Sequence, residues 1–107
     1  MANLKKWIEE FMKDNKLSWK DIEAIHLGDK GWSYNESEEA EIISINKAKK
    51  KLDYEFDDGY GGENSHAFYI YFKKWILLKQ GYDGAECLIS IPRNPNPKVR
   101  PESIGGG

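Results

Sequence analysis

Two spacings of apolar residues divide the chain. From residue 4 onward, Leu4, Trp7, Ile8, Phe11 and Met12 recur three and four positions apart, with Lys and Glu between them. That spacing lines the apolar side chains along one stripe and predicts an amphipathic helix over residues 4–14. Asn3 stands where an N-cap belongs, and Asn15 where a left-handed residue would close the helix. "SWKDIEAIHLG" reads as a second, short helix. There Asp21 follows Ser18 by three positions, a variant of the capping box; Ile22 and Ile25 share a face, and Gly28 supplies a stop. "DKGWSYNES" reads as loop. "SEEAEIISINKAKKK" reads two ways. Ser37, Glu38 and Glu39 resemble a helix start, and Ile42, Ile45, Ala48 and Leu52 keep a helical stripe. The β-branched Ile42, Ile43 and Ile45 favour a strand instead. Helix is the slightly better reading, and its Lys47, Lys49, Lys50 and Lys51 would suit a helix C-terminus.

From Leu52 the period changes to two. "KLDYEF" alternates Leu52, Tyr54 and Phe56 with charged residues, as a half-buried strand does. "HAFYIYF" sets Phe68, Ile70 and Phe72 on one face and Tyr69 and Tyr71 on the other. "WILLK" follows Lys73-Lys74, a two-residue connection without the usual Gly or Asn. "GYDGAE" is a turn, and "ECLISI" a last strand with Cys87, Ile89 and Ile91 on one face. The pattern predicts an α+β fold: two N-terminal helices, with a third in the ambiguous segment, packed on a three- or four-stranded antiparallel sheet. Residues 1–91 form the single domain. Residues 92–107 hold all four prolines and both arginines and read as an extended Pro/Gly-rich tail.

Composition narrows the function classes. At 107 residues, 39% apolar and 13% aromatic, the chain is one globular domain. The charged fraction is 32%, but the net charge is only −2. That argues against a nucleic-acid footprint, which needs a basic face, and against an acidic mimic of nucleic acid. One cysteine, Cys87, allows no intrachain disulfide and fits a reducing compartment. No apolar run approaches the ~20 residues of a membrane span, and the N-terminus lacks a signal peptide's apolar core. These features predict a soluble cytoplasmic protein.

The chemistry-bearing stretch is "DYEFDDGYGGENSH", residues 53–66, with five carboxylates, three glycines and a histidine. Asp57, Asp58 and Glu63 do not fall on EF-hand spacing. A looser divalent site from Asp57, Asp58, Glu63 and His66 is the alternative to a plain glycine turn between strands. "GYGG" lacks the Lys and Ser/Thr of a phosphate-binding loop. In a meander, this turn and "YDGAE" fall at the same end of the sheet, so Asp58 would face Asp83 or Glu86. A carboxylate pair with a nearby His can do acid/base work or hold a metal. His26 and His66 come singly, no Ser sits in G-x-S-x-G, and Cys87 reads as a small buried hydrophobe. Tyr69 and Tyr71 would stand on the face of the sheet away from the helices, where aromatic residues suit recognition. The closing "SIGGG" raises a third idea, a modifier tail of the ubiquitin type.

"DDGYGGE", a strand bearing Trp75 and Leu77, and then Tyr82, Asp83, Gly84 and Glu86 together resemble a group of small proteins encoded by phages and prophages. In that group a D-x-G-[YF]-G turn is followed by a W-L strand and a Y-D-G-x-E turn. The resemblance covers residues 52–95. The chain departs from it at Cys87 and Leu88, where an aromatic pair is expected. The resemblance implies a mobile-element origin and carries no activity; it places the protein in the host cell cytoplasm. The leading expectation is a non-enzymatic accessory protein that binds a host or phage protein, for instance to inhibit a host defence (in the manner of an anti-CRISPR protein) or a replication machine. No cofactor, metal or membrane is expected. The expected surface is Asp57, Asp58, Tyr60, Glu63, Tyr82, Asp83 and Glu86. The alternatives are a metal-dependent hydrolase using Asp57, Asp58, Glu86 and His66, and the ubiquitin-like modifier.

Overall fold

The structure is a computed structural model that describes residues 2–30, 41–56, 65–82 and 85–101; for residues 29, 30, 82 and 85 it describes the backbone alone. Within these residues the chain runs β1 (Ala2–Asn3), α1 (Leu4–Asp14), β2 (Ala24–Lys30), β3 (Glu41–Ile43), α2 (Ile45–Lys51), β4 (Glu55–Phe56), β5 (His66–Tyr71), β6 (Trp75–Tyr82) and β7 (Ala85–Pro92). It is an α+β fold with every strand pairing antiparallel. β1 and β4 form a two-stranded ladder, and the main sheet has five strands in the order β3-β2-β5-β6-β7. The expectation of three or four strands falls short because β2 and β3 lie in segments read as helix.

α1 forms as its periodicity predicts. Leu4, Ile8 and Met12 are buried, and Trp7 and Phe11 pack against the core from the flanks. Asn3 caps the helix, its Oδ1 accepting from the Lys6 N–H at 3.1 Å, while its Nδ2 donates to Asp53 at 3.0 Å. The left-handed residue at the other end is Lys16 (φ 58), not Asn15 (φ −106). Leu17 N–H reaches Met12 C=O (2.7 Å) and Lys16 N–H reaches Lys13 C=O (3.3 Å). These two bonds are the Schellman closure, which puts positive φ one residue after the cap.

The second predicted helix is a correction. Asp21 does bond back to Ser18 N–H at 2.7 Å, but the turn it starts is a single 3-10 turn over Trp19–Asp21. Ile25 and Leu27 then take strand alternation, both buried, with His26 facing the other way. β2 is bonded on both sides, to β3 and β5, and those neighbours override the weak helical spacing. Gly28 is no helix stop: it lies inside β2, where a Cβ would come within 3.3 Å of the Ala67 carbonyl oxygen. The ambiguous segment splits between its two readings. Residues 41–43 are strand, and the helix starts only at Ile45, capped by Ser44 Oγ accepting from Lys47 N–H at 3.1 Å. Ser37, Glu38 and Glu39 lie outside the described residues. At the start of this unit, Glu41 pairs with Lys47 (3.2 Å) and Lys51 (3.1 Å). The hydrogen bond from Lys51, then that from Lys47, hold the Glu41 carboxyl below its ordinary pKa.

Phe68, Ile70 and Phe72 are buried as their alternation predicts, and Tyr69 is exposed on the opposite face. The Lys73-Lys74 connection is a tight turn closed by Phe72 N–H to Trp75 C=O at 2.8 Å. Neither lysine takes positive φ, so the turn is not one of the primed types that favour Gly or Asn. In β7 the faces are reversed from expectation. Glu86 is buried and Leu88 packs on the core, whereas Cys87 is exposed. After Pro92 the tail runs to Pro101 without helix or strand. Arg93 anchors its start: its backbone N–H bonds Lys74 C=O (3.0 Å), and its guanidinium bonds Glu23 and the Phe72 carbonyl and lies over Tyr71.

A left-handed lysine carries backbone strain that glycine does not. Lys16→Gly is therefore expected to raise stability by up to about 1 kcal/mol, read as a higher urea midpoint at unchanged m-value.

Candidate functional site

β5 begins, β6 ends and β7 begins at one end of the sheet, as the registers Tyr69↔Leu78 and Gly81↔Glu86 require. The two glycine motifs adjoin this end in the sequence, residues 57–64 just before Ser65 and residues 83–84 between β6 and β7. Asp57, Asp58, Tyr60, Glu63 and Asp83 lie outside the described residues, as does the side chain of Tyr82. Glu86 is the one expected surface residue whose side chain is described, and it points inward.

Its carboxylate belongs to a buried polar cluster. Lys79 and Glu86 form an ion pair of 2.9 Å, with side chains 4% and 0% exposed. Ser65, fully buried, donates its hydroxyl to Glu86 Oε1 at 2.6 Å, and its backbone N–H reaches the same oxygen at 3.3 Å. Among the described residues, Lys79 Nζ donates to Glu86 Oε1, to the Ser65 carbonyl (2.8 Å) and to Ser65 Oγ (3.1 Å). No described buried side-chain N or O is left without a partner. Beside the cluster, Tyr54 Oη accepts the His66 backbone N–H at 2.9 Å and lies 2.7 Å from His66 Nδ1. Burial raises the Tyr54 pKa and the nearby Glu86 charge adds to the rise, while the hydrogen bond from His66 opposes it.

The strand period accounts for this burial. Lys79 is in phase with Trp75 and Leu77, and Glu86 with Leu88, so both charges fall on the helix-covered face. That phase was readable in the sequence. A Lys and a Glu seven positions apart, each in the inward phase of adjacent strands, are the pattern that marks such a pair.

The chemistry open to this cluster is limited. A serine beside a lysine can serve as nucleophile and base. Here Ser65 Oγ already donates to Glu86 Oε1, and Lys79 Nζ is itself ion-paired with that carboxylate. Burial of all three side chains also denies a substrate access. Glu86 as a metal ligand would have to give up a buried lysine and a buried serine. Among the described residues no three His, Cys, Asp or Glu converge to hold a metal, and no helix is long and apolar enough to cross a membrane. Among the described residues, Cys87 Sγ reaches Gln80 Oε1, at 3.6 Å. The arrangement is a tie: it joins Ser65, where the first turn's segment re-enters the sheet, to Glu86, just after the second. Comparison with family models, with curated proteins and with solved structures finds no match.

Removing one member of a buried ion pair strands the other charge, at about 3–5 kcal/mol. Glu86→Ala is expected to lose that much in urea denaturation. The double variant K79M/E86L, which removes both charges, should lose clearly less than E86A. Equal losses would mean that packing, not charge, sets the cost.

Proposed function

We propose that this chain is a small accessory protein of the phage type that acts by binding another protein. The observation that carries this reading is the buried Ser65–Lys79–Glu86 tie at the root of both glycine turns. Loops that are anchored at their base lose less entropy on binding. A buried charge pair is an expensive way to anchor them, because desolvation offsets much of its attraction. The acidic and aromatic residues the turns carry (Asp57, Asp58, Tyr60, Glu63, Tyr82 and Asp83) supply recognition groups of the kind found at interfaces. The resemblance of the two turn motifs to small phage and prophage proteins supports the same reading, with a host defence or replication protein as the partner class. The commitment of Glu86 to Lys79 and Ser65, and of His66 to Tyr54, favours binding over a hydrolase built on those residues.

The test is a pull-down from host lysate with the wild-type chain and with Y60A/D83A. The double variant is expected to melt within about 2 °C of wild type and to lose partner capture. Collapse of its fold would make the turn residues structural, and undiminished capture would place the surface elsewhere.

A further inference from the structure

The residues after Pro92 form no helix or strand up to Pro101, yet they are held in place. Arg93 ties their root to the Lys74 carbonyl, to Glu23 and to the Phe72 carbonyl. Val99 N–H bonds Asn96 C=O at 3.1 Å, and Lys98 N–H bonds Asn96 Oδ1 at 3.0 Å. The chain therefore reverses over residues 96–99, with Pro97 at the turn position that proline favours. Pro92, Pro95, Pro97 and Pro101 each fix one φ of this hook. Between the hook and β7 lies a groove of about 560 Å³, within the roughly 300–1,000 Å³ of ligand pockets. Ile89 and Ile91 give it one apolar wall, Pro95 and Val99 another. β7 is an edge strand, and residues of both its phases line the groove, which thus follows the strand's free edge. The bond from Arg93 N–H to Lys74 C=O sets the alternation of the ladder. Ile89 and Ile91 bond to β6, while Ser90 between them turns its N–H and C=O outward along that edge.

Charge sets this groove apart. Both arginines of the chain line it, and no described Asp or Glu does. Arg93 is neutralised by Glu23. Arg100 is exposed and makes no ion pair or hydrogen bond among the described residues. A guanidinium of this kind grips a carboxylate through two parallel N–H bonds. We propose that the groove binds the carboxyl-terminal end of a partner protein. The terminal carboxylate lies on Arg100, and apolar last side chains lie against Ile89, Ile91, Pro95 and Val99. Polar groups along the groove favour a peptide over a free fatty acid. The N–H and C=O of Ser90 and the side-chain amides of Gln80 and Asn94 bond a peptide main chain, whereas an acyl chain would cover them unpaired. An extended segment laid beside a strand edge gains both main-chain bonds and side-chain pockets. The site lies toward the Ile91 end of β7, and the glycine motifs adjoin its Ala85 end. It is therefore separate from the surface proposed above and does not depend on it.

The experiment is an NMR titration of the full chain, methyl-labelled at Ile and Val. The probes are hexapeptides ending in Val, Ile, Leu or Phe, each made as the free acid and as the carboxyl-terminal amide. At least one free acid is expected to bind with a Kd below about 1 mM and to shift the methyls of Ile89, Ile91 and Val99. Its amide should bind at least about tenfold more weakly, as the loss of a charged hydrogen-bonded pair requires. R100A should lose the same factor and R100K part of it, both at the wild-type melting temperature because Arg100 is exposed. K98A, which removes a neighbouring charge outside the groove, should bind like wild type. Y60A/D83A should also bind these peptides like wild type, whether or not it captures a partner from lysate, which separates this inference from the proposed function. No methyl shift from any free acid at about 1 mM overturns the proposal. So do equal binding of acid and amide, an R100A variant that binds like wild type, and shifts confined to methyls away from the groove. Hexanoate bound as tightly as the peptides would assign the groove to a free aliphatic acid and overturn it equally.

Discussion

The Lys79–Glu86 pair, closed by Ser65, is the constraint on which this fold turns. Two opposite charges sit on the covered face of adjacent strands, and neither is stable there without the other. Lys79↔Leu88 and Gly81↔Glu86 are cross-strand partners, so the pair can form only in this register of β6 on β7. A slip of β7 by one residue would turn Glu86 to the far face, bring Cys87 inward and leave Lys79 without that carboxylate. Ser65 extends the same constraint to β5, since its hydroxyl, amide and carbonyl all engage the pair. Three successive segments are thereby joined at one end of the sheet.

The remainder of the fold follows from how the two faces of the sheet are covered. α1 lays Leu4, Ile8 and Met12 into the core beside Ile25, Ile70 and Phe72. The ladder of β1 on β4, the bond from Lys5 N–H to Leu52 C=O and the contact of Asn3 with Asp53 hold the start of α1 against the end of α2. The opposite face has no helix among the described residues; at its β7 edge the tail runs past Ile89 and Ile91, with Arg93 over Tyr71.

Much of this was legible in the sequence where one pattern stood alone. The α1 stripe and the alternation of Phe68, Ile70 and Phe72 had no competitor, and both elements formed as read. β2 was not legible, because Ile22 and Ile25 offer helical spacing while Ile25 and Leu27 offer alternation. Only the neighbours β3 and β5, distant in sequence, decide between them. The segment around Ile42 to Ala48 held both readings because it contains both elements, divided at Ser44. Cys87 and Glu86 were assigned to the wrong faces because the apolar phase of β7 was taken to point inward, whereas the pair of Glu86 with Lys79 and Ser65 turns the other phase inward. Of the candidate site, Glu86 was found by its motif but not its role, and Lys79 and Ser65 were missed, since a lysine in a strand reads as solvated until its partner is seen.

The tie itself is most directly tested by native-state hydrogen exchange at two amides, Ser65, bonded to Glu86, and His66, bonded to Tyr54. Both lie at the start of a strand, where fraying is the ordinary behaviour. If the cluster holds this end of the sheet, both exchange only through global opening, with the same free energy as Phe68 and Ile70 in mid-strand. If they instead exchange at rates near those of an open chain while Phe68 and Ile70 stay protected, the pair does not fix the roots of the turns, and the account fails at its centre.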